Sequence, residues 1–75
     1  MPKLPVVSGK EAARAFEKDG WEFVRVARSH HWVYRKEGNP VVLSIPDHKT
    51  LDRGLLRALI RDAGLSVADF ISLLD

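Results

Sequence analysis

The sequence contains no cysteine, which removes disulfide staples, thiolate zinc sites and a cysteine nucleophile together. It also lacks any apolar run near the ~18 residues a membrane span requires. The N-terminal Met1-Pro2-Lys3-Leu4-Pro5-Val6-Val7 carries one charged side chain and none of the apolar stretch of a signal peptide. These absences lead us to expect a soluble, cytoplasmic protein with no membrane partner. No internal repeat, linker or low-complexity segment interrupts the chain, so a single domain over residues 1–75 is expected. A chain of that length buries only about 60% of the surface its unfolded form exposes, so its core must be compact. With 45% hydrophobic and 29% charged residues, the composition is that of a globular protein and not of a disordered tail.

The net charge of +2 is too small to name a partner, but its distribution is uneven. Residues 1–23 carry four basic and four acidic side chains, and residues 37–75 carry four and six. Residues 24–36 carry Arg25, Arg28, Arg35 and Lys36 and no acid, so the three segments run 0, +4 and −2. A local positive segment attracts a polyanion, nucleic acid foremost.

Ser8-Gly9-Lys10-Glu11 has capping-box spacing and opens a helix over about 8–19, with Ala12, Ala15 and Phe16 on one face and Gly20 as its stop. From Trp21 to Ala27 and from His30 to Lys36 the pattern changes to alternating β-branched and aromatic residues, with Arg28-Ser29 as the turn between two strands. Gly38-Asn39-Pro40 predicts a second turn and Val41–Ile45 a third strand, closed by Pro46. A second helix is expected over about 51–63. Leu55, Leu56, Leu59, Ile60 and Ala63 form its apolar side, and Arg53, Arg57 and Arg61 form a separate basic stripe. A short third helix begins at Ser66, with Asp69 three residues on at capping-box spacing and Leu65 and Phe70 spaced as a hydrophobic staple. The expected class is α+β: an α-β-β-β-α-α chain whose three-stranded antiparallel sheet carries helices on one face. This is the layout of double-stranded-RNA-binding domains, which engage RNA by shape and backbone contacts.

The chemical inventory is short. His30 and His31 open the second strand, where alternation sends them to opposite faces: His30 with Trp32 and Tyr34, His31 with Val33 and Arg35. His48 lies in the loop before the second helix. No His-x-x-x-His pair is present, and diverging strand neighbours do not converge on an ion, so no metal site is expected. Ser29, a histidine and Asp47 lack the Gly-x-Ser-x-Gly elbow of a hydrolase triad, and there is no P-loop. One imidazole is nonetheless enough to cut RNA, because each phosphate is adjacent to its own nucleophile, the 2′-hydroxyl. A histidine titrating near about pH 6.5 removes that proton or protonates the 5′-oxygen leaving group. Nearby Arg28, Arg35 or Lys36 would stabilise the charge that develops on the phosphate. Two other readings stand beside this one. In a non-catalytic RNA-binding module the histidines are contacts and Trp32 and Tyr34 face outward. In an adaptor, the exposed sheet pairs with a partner strand.

Four stretches in order resemble the HicA (YcfA-like) family of toxin ribonucleases. They are Asp19-Gly20-Trp21-Glu22-Phe23 at the helix-to-strand junction, Arg28-Ser29-His30-His31 against the family's Gly-Ser-His, Ile45-Pro46-Asp47-His48 against its Val-Pro-x-His, and the run Gly54–Ser66. The resemblance implies a toxin of a type II toxin–antitoxin system, an mRNA-cleaving endoribonuclease blocked by a HicB-type antitoxin protein and needing no cofactor. It aligns His30 with the catalytic histidine, with His31 as the alternate, and gives His48 a supporting or RNA-contacting role; Arg28, Ser29, Arg35 and Lys36 are the RNA-binding candidates beside these histidines. Arg28 stands where the family has glycine. A positive φ there would cost an arginine roughly 1 kcal/mol or more.

Overall fold

The computed structural model describes residues 3–74. Its elements run α1 (Gly9–Lys18), β1 (Glu22–Ala27), a 3-10 turn (Arg28–His30), β2 (His31–Lys36), β3 (Asn39–Pro46), α2 (Arg53–Asp62) and α3 (Val67–Leu73). The strands form an antiparallel sheet in the order β1-β2-β3, the expected α+β architecture. Alternation divides its faces. Tyr34, Leu43 and Ile45 are buried in one cluster with Phe16, Leu56, Leu59, Ile60 and Phe70 of the helices. Arg35, Val42 and Ser44 point to the other, open side and are exposed.

Both expected capping boxes form. The Ser8 hydroxyl accepts from Glu11 N at 3.0 Å, and Glu11 Oε1 accepts from Ser8 N at 2.8 Å. Ser66 and Asp69 repeat the exchange at α3. The α2 cap is Asp52, whose carboxylate accepts from Leu55 N at 3.1 Å. The basic stripe Arg53, Arg57 and Arg61 is exposed, as expected. Phe16 and Phe70 join α1 to α3 with ring centroids 5.2 Å apart.

The second hairpin is tighter than expected. Lys36 pairs with Asn39, so Glu37 and Gly38 alone make the turn, and Gly38 takes its left-handed position at φ 77°, which glycine adopts at no steric cost. Asn39 and Pro40 belong to β3. The register shifts between Arg35 and Lys36, and that irregularity on an edge strand accommodates a proline without an amide donor. β1 carries a bulge between Phe23 and Arg25, and Phe23, Val24 and Val26 remain about half exposed along this outer strand.

Gly9 fixes how α1 meets the sheet. Its amide donates to His48 O at 2.9 Å, and a Cβ there would overlap the carbonyl oxygen of Pro46 and sit 3.1 Å from the carbonyl carbon. Leu51 N donates to Val7 O at 2.8 Å, and the N-terminal segment contributes Leu4 and Val7 to the core.

Candidate active site

The loop joining β1 to β2 contains three residues, because Ala27 pairs directly with His31. Such loops are built as a type I turn followed by one residue in the left-handed region, a position glycine usually fills. Here Arg28 and Ser29 make the turn and His30 takes the left-handed position at φ 59°. This corrects two expectations. His30 is not the first residue of the strand and does not share the face of Trp32 and Tyr34; it projects from the head of the hairpin and is exposed. The strained residue is His30 and not Arg28, whose φ is not positive. Histidine is among the few non-glycine residues enriched in this region. A left-handed residue other than glycine still costs roughly 1–2 kcal/mol.

His31 opens β2 on the open side, as alternation requires, and is half-buried. Its Nδ1 lies 3.2 Å from the carbonyl oxygen of Arg28. With the proton on Nδ1 this contact fixes the ring's tautomer and orientation.

The second motif lies beside the first. His31 pairs with Pro46, and Asp47 N donates to His30 O at 3.2 Å, extending the β2–β3 ladder by one bond. His48 N turns back to Pro46 O at 2.9 Å, while His48 O holds Gly9 N. The chain thus joins the hairpin head, the end of β3 and the start of α1 at one corner of the sheet. A hollow of about 430 Å³ there is lined by Ser8, Lys10, Asp47, His48 and Lys49. Lys10 and Lys49 are exposed functional candidates that motif reading missed. The signal for them was the α1 N-terminus, which the sequence placed but did not dock against His48.

The basic middle segment does not form one patch. Arg28 is exposed in the turn. Arg25 and Arg35 lie on the open side of β1 and β2, and Arg35 is four residues, roughly 13 Å, along the strand from His31. Lys36 turns to the helix side, where its Nζ is 3.3 Å from Asp19 Oδ2, the oxygen that also accepts from Trp21 Nε1 at 3.2 Å. The structure therefore gathers Arg28, His30, His31 and His48 at one end of the sheet and leaves Arg35 and Lys36 at the other. The side chain of Ser29 lies outside the described residues. Trp32, half-buried against the core, and Tyr34, buried within it, lie on the helix side of the sheet, where both line a cleft beside α1 and neither is on the open face. Tyr34 donates to Glu17 Oε2 at 2.7 Å. Burial first, and this carboxylate second, push the phenol well above its ordinary value.

Residues 9–65 match the family model described as HicA toxin of bacterial toxin–antitoxin systems. The chain belongs to the HicA toxin family. It is thus the toxin of a toxin–antitoxin pair, with a cognate antitoxin as partner. The matched HicA segment contains α1, the whole sheet, both histidine motifs and α2. No curated protein matches the chain. Among the described residues, no helix is long and apolar enough to cross a membrane.

Proposed function

We propose that this HicA toxin is an endoribonuclease that cuts mRNA in the cytoplasm, using His30 as general acid or base and requiring no metal. The observation that carries the reading is the left-handed His30 at the hairpin head, its carbonyl bonded to Asp47 N. A histidine occupies the position where glycine would be unstrained, exposed to solvent and next to the loop that bears His48. Strain retained at one exposed residue is characteristic of a working site.

In the proposed reaction the ribose 2′-oxygen attacks the adjacent phosphorus as an imidazole removes its proton. The bond from phosphorus to the 5′-oxygen breaks, and that oxygen takes a proton. A cyclic phosphate remains on one fragment and a hydroxyl on the other. In this reading Arg28 stabilises the developing phosphate charge, His48 contacts the same strand, and Arg35 meets phosphates further along the open face. His31 is the alternate acid or base, oriented by its contact with Arg28 O. A HicB-type antitoxin would silence the toxin by covering the hairpin head. The test is an oligoribonucleotide carrying one 2′-deoxy sugar at a linkage the protein cuts. We expect cleavage to stop at that linkage alone and cyclic phosphate ends to form elsewhere; cutting at the deoxy position would rule out the 2′-oxygen nucleophile.

A further inference from the structure

Beside the histidine corner lies a second concavity that the cutting chemistry does not use. A cleft of about 650 Å³ lies between α1 and strands β1 and β2 and is lined by Lys10, Ala13, Arg14, Phe23, Trp32 and Tyr34, with Glu11 and Glu17. Its floor is aromatic. Phe23 stands edge-to-face with Tyr34 at 5.9 Å, and it is 52% exposed, an unusual position for a phenylalanine in so small a protein. The Tyr34 ring is anchored by its bond to Glu17, so the floor is rigid.

The charges around this floor are arranged for a neutral guest. Two cations, Lys10 and Arg14, face two carboxylates, and both carboxylates are already engaged: Glu11 with Ser8 N and Glu17 with the Tyr34 hydroxyl. The adjoining hollow is different, holding Lys10 and Lys49 against Asp47 alone beside His48. Lys10 lines both spaces. A neutral aromatic cleft joined through one lysine to a net positive hollow matches a nucleotide, with its base in the first and its phosphate in the second.

We infer that the α1–β1–β2 cleft seats one unpaired base of the RNA, stacked on Phe23 and Trp32, while Lys10 holds the neighbouring phosphate toward His48. The inference rests on RNA being the substrate and adds what the cutting chemistry leaves open: the protein selects an unstacked, single-stranded nucleotide, despite a layout shared with binders of duplex RNA. Stacking on aromatic side chains accepts any base, so the cleft would demand a base without dictating which.

The experiment uses the full chain with His30→Ala and His31→Ala, so that bound RNA stays intact, and measures affinity for short single-stranded oligoribonucleotides by fluorescence anisotropy. An abasic nucleotide is moved through the strand one position at a time. We expect about a tenfold loss of affinity at one position and little elsewhere. Adding Phe23→Leu should weaken the intact strand by a similar factor and erase the abasic penalty, and Phe23→Trp should restore both, which separates stacking from folding. An abasic penalty unchanged by Phe23→Leu overturns the inference. So does a Phe23→Leu protein that keeps its RNA affinity and loses only antitoxin binding, which would make the cleft a protein contact. If Phe23→Leu with both histidines intact cuts RNA as fast as the parent protein, the base site falls and the ribonuclease reading stands; if no RNA binds at all, both fall.

Discussion

His30 stands at a position chosen by hairpin geometry, at a φ of 59° that glycine would adopt without strain. His30→Gly should therefore raise stability, by up to about 1 kcal/mol once the extra chain entropy of glycine is subtracted, while RNA cleavage is lost. Denaturant unfolding beside a cleavage assay checks both halves, and a destabilised His30→Gly would contradict the strain. Tyr34 offers a second residue-level test. Its native pKa lies above the unfolded value of about 10, so above that pH the unfolded chain releases a proton that the native protein retains. Stability should thus be fully present below about pH 10 and fall as pH rises further. The chain has a single tyrosine, so phenolate absorbance reports this group alone. It should appear only on unfolding, and Tyr34→Phe should cost about 1 kcal/mol at neutral pH and remove this contribution to the alkaline decline.

Among the elements, the helices were the most legible in sequence. Ser8 with Glu11 and Ser66 with Asp69 announced two N-termini, and the apolar spacing of α2 gave its buried side, because these signals act within one turn of chain. The turns were less legible. Alternation through His30–Lys36 made a longer strand look natural, since local pattern does not reveal which residue of a three-residue loop goes left-handed; that is decided by the pairing of Ala27 with His31. Pro40 read as a turn residue, but the Lys36–Asn39 pair drew it into β3. The docking of α1 was invisible for a similar reason: Gly9 looks like an ordinary first-turn glycine until Pro46 is packed against it. Gly9→Ala should cost about 1–3 kcal/mol, the usual range for overpacking. Because the same contact seats the His48 loop, it should also reduce activity in the fraction that remains folded. A thermal melt with activity measured well below the midpoint tests this, and a Gly9→Ala variant as stable as the parent would contradict the close approach.

For the molecule as a whole, sequence placed the motifs in order along the chain but not relative to one another. Four cations in thirteen residues looked like one basic patch. The pleat sends Arg35 to the open side and Lys36 to Asp19, whereas hydrogen bonds distant in sequence bring His30, Asp47, His48 and Gly9 together. The candidate site is therefore a corner built from three segments. The most direct test of its role is incubation of mRNA with the purified protein in EDTA, alongside His30→Ala and His31→Ala. The account predicts fragments from the parent protein and from His31→Ala, and intact RNA with His30→Ala. Fragments from His30→Ala but not from His31→Ala would move the chemistry to the neighbouring strand residue. Intact RNA in every reaction, with RNA still bound, would contradict the ribonuclease outright.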